Sequence, residues 1–250
     1  MEFNFSYITL LSVNESLGVS GNPNTIPGTK NMTLTITHSS ARPSDRFIQI
    51  VAGYFGNQGF TYKKSQKEFI TKFEKGTKTV GFYFRIGTLT TATLHWSIHF
   101  EKFQKLIGYL FDDPKRHNKS NTIGSDICNY TRNADLAFKL YDEQTLSFDD
   151  FSINKAATLS IKAYEEYAVP YFEKFTSYTH LEEHYNLDKF KNIGGIILAK
   201  YVDNPRFDLL VQALYEQAHI REKISPSNEL TIIDKTITFL RTNNIKAVLV

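Results

Sequence analysis

The chain has 250 residues, carries 29 Lys+Arg against 26 Asp+Glu for a net charge of +3, and is 41% hydrophobic and 14% aromatic, the balance of a folded rather than a disordered protein. Its one cysteine cannot close an internal disulfide or build a thiolate zinc site, which excludes a stapled secreted scaffold. No apolar run nears the ~20 residues of a membrane-spanning helix, and the longest, 193–199, contains two glycines.

Residues 1–41 read as an irregular leader, because 14–31 are dense in Asn, Gly, Ser, Thr and Pro, which supply turns and little buried area. The apolar stretch 7–13 lacks the basic lead of a secretory signal: Glu2 is the only charge before Glu15, and the first cation is Lys30. Export is not expected and a cytoplasmic location is, so the N-x-T triplets at Asn31 and Asn129 carry no weight. The remainder, 42–250, reads as one α+β domain, with a helix and a β-meander over 42–148 and helices over 149–250.

From Pro43 to Asn57, the residues Phe47, Val51, Tyr54 and Phe55 recur at helical spacing, with Ser44 the candidate N-cap and Gly59 the stop. The period then changes to two. Phe69, Thr71 and Phe73 alternate with Glu68, Lys72 and Glu74; Val80, Phe82, Phe84 and Ile86 alternate with Thr79, Gly81, Tyr83 and Arg85. Leu94, Trp96, Ile98 and Phe100 alternate with Thr93, His95, Ser97 and His99. Turns at Lys75-Gly76 and Gly87-Thr88 join these into an antiparallel meander with one apolar face. A helix follows on Phe103, Leu106, Ile107, Leu110 and Phe111, then a polar loop over 115–121 and strands over 127–130 and 136–141. From Ser152, a stripe of Ile153, Ala157, Ile161, Tyr164 and Ala168 predicts a helix that Pro170 should kink or end. Asn204-Pro205 and Ser225-Pro226 predict the starts of two more, carrying Leu210, Leu214 and Ala218, then Leu230, Ile233, Ile237 and Leu240.

Gly59-Phe60, closing a helix before a Lys-rich aromatic strand, together with Val169-Pro170-Tyr171-Phe172-Glu173-Lys174-Phe175, resembles a bacterial domain-of-unknown-function family of small α+β proteins. Some of its members sit in toxin-immunity or defence neighbourhoods. The likeness spans roughly residues 43–244; the leader and the loop at 115–121 have no counterpart. The family brings no established activity, so no catalytic residue carries over. What the resemblance implies is a cytoplasmic, non-catalytic binding protein.

Three groups of residues bear on chemistry or binding. His180-Leu181-Glu182-Glu183-His184 fits H-x-x-E-H, in which two histidines four apart on a helix share a zinc and Glu183 serves as base. A third ligand is required and none is evident; the alternative is a solvated helix face over 179–186. His95 and His99 are also four apart, but on a strand that separates them by about 13 Å at ~3.3 Å per residue, too far for one metal. Between 60 and 80, six lysines (63, 64, 67, 72, 75 and 78) stand against Glu68 and Glu74, a basic stretch that could meet nucleic-acid phosphates. Phe82 and Phe84 read as core rather than base-stacking residues, and the lysines as a strand edge blocked against pairing. No nucleophile elbow or phosphate loop is present, Gly194-Gly195 lacks the dinucleotide spacing, and Cys128 lies in a polar segment.

The reading is a non-catalytic protein-binding module, an immunity or regulatory protein, with no cofactor expected. Its candidate contact surface is the outer strand face at Tyr83, Arg85, His95 and His99. The alternatives are a zinc hydrolase at His180, Glu183 and His184, and a nucleic-acid binder at 60–80.

Overall fold

The computed structural model describes residues 42–86, 89–118, 120–133, 136–187 and 192–249. The predicted leader and the Gly87-Thr88 turn lie outside them. Helix α1 spans Pro43–Asn57, as the spacing predicts. Arg42 stands at its N-cap, with Pro43 in the first turn and Ser44 buried inside the helix, so the serine cap is corrected. Proline's fixed φ suits the first helical position and sets the N-cap two residues before Ser44. At the other end, Gly59 takes φ +78°. The Gly59 N–H reaches the Gly56 carbonyl and the Phe60 N–H the Phe55 carbonyl, both at 3.0 Å, while the Phe60 ring packs on Phe55 with centroids 5.7 Å apart. Those two bonds and that apolar contact make a Schellman stop, which aims the chain into the sheet.

The sheet has six antiparallel strands: β1 (Thr61–Lys63), β2 (Glu68–Phe73), β3 (Gly76–Arg85), β4 (Thr91–Phe100), β5 (Ile123–Asp126) and β6 (Phe138–Lys139). They run in the order β1-β2-β3-β4-β5, with β6 also paired to β4. Phe69 opposes Val80 and Val80 opposes Trp96, while Phe82 opposes Leu94; all five are buried on one face. Burying side chains of this size stabilises by roughly 1.5–3 kcal/mol each. Phe47 of α1 meets Phe82 edge-on at 4.9 Å, and Phe55 stacks on Phe69 at 4.7 Å. Ile86 departs from the predicted alternation: it lies past the end of β3 and is 67% exposed.

Two predicted segments change type. Residues 127–130 belong to helix α4 (Ile127–Thr131), because the Asp126 carboxylate accepts the Asn129 N–H at 2.9 Å and caps a helix where apolar content suggested a strand. The polar loop at 115–121 contains a one-turn helix, α3 (Pro114–His117), after α2 (Glu101–Leu110). The expected strand over 136–141 pairs only at β6, and β1 and β5 were not foreseen.

Helix α5 (Asp150–Ala163) does not end at Pro170. A π-helical turn, Tyr164–Ala168, carries it into α6 (Val169–Lys174), with the Val169 N–H reaching back to the Tyr164 carbonyl. The wider turn takes up the proline's missing donor without breaking the element. Beyond lie α7 (Tyr178–Leu187), α8 (Ile193–Tyr201), α9 (Phe207–Ile224), α10 (Glu229–Thr242) and α11 (Ile245–Leu249). The apolar run 193–199 is buried along its whole length as α8, which packs against α7, α9, α10 and α11. Helices α9 and α10 begin after Pro205 and Pro226 rather than at them; Asn204 first turns the chain by accepting the Arg206 N–H at 2.8 Å. Among the described residues, no helix is long and apolar enough to cross a membrane.

Candidate functional site

The outer face of the sheet is built by one cross-strand row, Glu68–Gly81–His95–Asp126. His95 is only 9% exposed, which corrects its place on the predicted contact surface. Tyr83 covers it, ring on ring at 3.9 Å and 14°, and the imidazole lies over Gly81. A Cβ at Gly81 would stand 2.5 Å from His95 Nε2 and 3.1 Å from the Glu68 side chain, so both groups use the space that glycine leaves. Burial lowers the His95 pKa to about 4, against the opposing pull of the Asp126 charge, so the ring is neutral at pH 7. Burial likewise raises the Glu68 carboxyl. His99 is half-buried, and its Nδ1 donates to the Ser120 carbonyl at 2.7 Å. Tyr83, 61% exposed, and Arg85 are the most open of the four, and His99 is open in part.

On α7, His180, Glu183 and His184 are all exposed. His180 turns toward the start of its own helix, with Nδ1 3.1 Å from Ser177 Oγ, and His184 packs on the Phe175 ring at 5.3 Å. The inward carboxylate is Glu182, which accepts the side-chain amides of Asn186 and Asn204, each at 2.7 Å. No group of three metal-ligating side chains gathers among the described residues. The six lysines do not form one stripe. Lys72 faces outward beside Thr77, whereas Lys78 opposes Ile98 on the inner face, its ammonium 5.5 Å from the Phe172 ring centre. Lys75 lies over Tyr178 at 5.4 Å. Lys63, Lys64, Lys67 and Lys72 stay exposed, so the division takes Lys75 and Lys78 out of the basic surface and leaves the other four on it.

The residues with space between them lie elsewhere. A trough of about 620 Å³ separates the segment 136–144 from α5 and the π-turn. Its floor includes Ile127, Phe138 and Ala156, and its α5 wall presents Phe151, Lys155, Leu159 and Lys162. Phe151 is 75% and Leu159 47% exposed. No family model, curated protein or solved structure matches this chain. The site is therefore argued from its geometry. At one end, Tyr167 of the π-turn meets Tyr130 at 6.1 Å, and Tyr130 reaches the buried Trp96 at 5.5 Å. Beside the other wall, Asp142 accepts the N–H groups of Gln144 and Thr145 at 2.9 and 2.7 Å and the Thr145 hydroxyl at 3.0 Å. These bonds hold Asp142 below the usual carboxylate range. They brace a loop in which Leu146 sits at φ +55°, with its side chain exposed. Sequence reasoning passed over this site. Its one signal was Phe151 and Leu159, apolar residues off the buried stripe of α5.

Proposed function

We propose that the protein is a non-catalytic binding module that receives a segment of a partner protein in the trough beside α5. The observation that carries this reading is the display of large apolar side chains at its edge: Phe151 and Leu159, both exposed on α5. Exposed apolar groups next to a concave surface are the usual composition of a recognition site. Cytoplasmic action as an immunity or regulatory protein is the narrower form of the same proposal, supported by the single cysteine, which allows no internal disulfide framework.

A photoreactive phenylalanine analogue placed at position 151 tests it. Illumination in host cells should yield one dominant cross-linked protein, lost on Leu159→Glu and absent when the analogue replaces Ile220, an exposed apolar residue on α9. Equal yields from both positions, or none from 151, would contradict the reading.

A further inference from the structure

On the outer face of the sheet three groups lie in layers. Gly81 presents only backbone, the His95 imidazole lies over it, and the Tyr83 ring stacks on His95 with its plane tilted by only 14°. A side chain at position 81 would displace the imidazole, since a Cβ there would meet both His95 Nε2 and Cε1 at under 3 Å. The layering sorts exposure: His95 is buried and Tyr83 is open. One face of the tyrosine ring is therefore fixed against the protein and the other is turned to solvent. Cations gather at the same corner. Glu68 opposes Gly81, so the turn 64–67 between β1 and β2 runs past Gly81 to the level of Tyr83. Lys63 stands in the row of Glu68 and Gly81, Lys64 and Lys67 lie in the turn, and Arg85 follows Tyr83 on the same face, about 7 Å along β3 at ~3.3 Å per residue. All four are exposed, and none forms an ion pair among the described residues. Two carboxylates share the row. Asp126 is occupied as the cap of α4, accepting the Asn129 N–H and side-chain amide, and burial leaves Glu68 readier to hold a proton.

We infer that this corner of the sheet binds single-stranded nucleic acid, one base stacking on the open face of Tyr83 while Lys63, Lys64, Lys67 and Arg85 meet the flanking phosphates. The two features select the occupant together. A duplex would satisfy the cations, but its bases show their faces only to one another. An acidic peptide would satisfy them without using a ring laid flat. An unpaired base exposes its face, and stacking on a tyrosine tolerates any sequence, while the phosphates supply the charge. An anionic membrane would use apolar side chains that project, and Ile86, 67% exposed past the end of β3, makes vesicles the necessary control. The inference goes beyond the protein-binding reading above, and its surface shares no residue with the trough.

The test is fluorescence anisotropy of an end-labelled oligouridine of about 12 nucleotides, within the usual site size of a single-strand-binding sheet, titrated with the full chain at low and moderate salt. Binding is expected, with affinity falling as salt rises. Tyr83→Leu, which keeps a cover over His95 but removes the aromatic face, should weaken it about tenfold, and Tyr83→Trp should hold or tighten it. Lys63→Ala with Lys67→Ala should lower the slope of log affinity against log salt by about 1.4, two phosphate contacts at ~0.7 each. These positions are exposed, so thermal melts should match the parent's. No binding of the oligonucleotide, equal binding of a duplex of the same length, or an unchanged affinity in Tyr83→Leu would overturn the inference. So would capture by phosphatidylserine vesicles in place of the oligonucleotide. Cross-linking from position 151 is independent of each of these outcomes, so this inference and the protein-binding reading fail separately.

Discussion

At His95, burial and charge act in opposite directions. The ring shares its row with two carboxylates, Glu68 and Asp126, an arrangement that by itself would favour the imidazolium. Tyr83 and the sheet surface exclude water more effectively than the acids attract the proton, and the folded-state pKa falls to about 4. In the unfolded chain the same group titrates near ~6.5. Between those values the unfolded form binds a proton that the folded form refuses, so His95 costs stability as pH falls from about 7 to about 4, by roughly 3 kcal/mol in all. Glu68 acts with the opposite sign, because its raised pKa lets the folded form keep a proton that the unfolded form releases. Urea unfolding of the protein and of His95→Gln over that pH range should separate the two, the variant losing less stability on acidification. By NMR titration, Tyr83→Ala should raise the His95 pKa toward its ordinary value; an unchanged pKa would show that Tyr83 is not the cover. None of this was legible from alternation alone. Period two places His95 on the outer face correctly, but whether an outer residue is wet depends on its cross-strand neighbours, here a glycine and a tyrosine.

The elements differ in how local their signals are. Apart from its N-cap, helix α1 is readable from the sequence because proline, an amphipathic stripe and a glycine stop agree. Its two ends make a paired prediction. Gly59→Ala forces a Cβ into the left-handed region and should lower stability by about 1 kcal/mol. Gly53, exposed in the helix interior with open space where a Cβ would point, should yield about the same amount in the opposite direction when replaced by alanine. Denaturant midpoints of the two variants check both signs. Residues 127–130 misled because four apolar or weakly polar residues suit a strand or a helix equally, and one carboxylate cap at Asp126 decides. Pro170, expected to kink or end the helix, does not end it, because a π-turn just before the proline carries the chain on into α6.

Across the molecule, the sheet's aromatic face is what organises everything else. Helices α1, α6 and α7 each contribute a ring to it, through Phe47, Tyr171 and Tyr178, and Tyr164 of the π-turn packs on Phe55 of α1. The trough follows from that packing: α5 buries one side against this assembly and leaves Phe151, Lys155, Leu159 and Lys162 facing the segment 136–144. Its two walls are separate in sequence, and the second has only a two-residue strand, so a reading of periodicity had nothing to join. The basic run at 60–80 illustrates the converse. Of six lysines close in sequence, three lie in turns, and the strand period sets Lys72 and Lys78 on opposite faces of the sheet. The claim on which the architecture rests is that Trp96, the sole tryptophan, lies in a dry interior at 1% exposure. Tryptophan emission with acrylamide quenching reads this directly in the intact protein. A blue-shifted spectrum that acrylamide barely quenches, changing to a red-shifted, freely quenched one in denaturant, is the result predicted; a native spectrum already red-shifted and quenched as in the unfolded chain would contradict it.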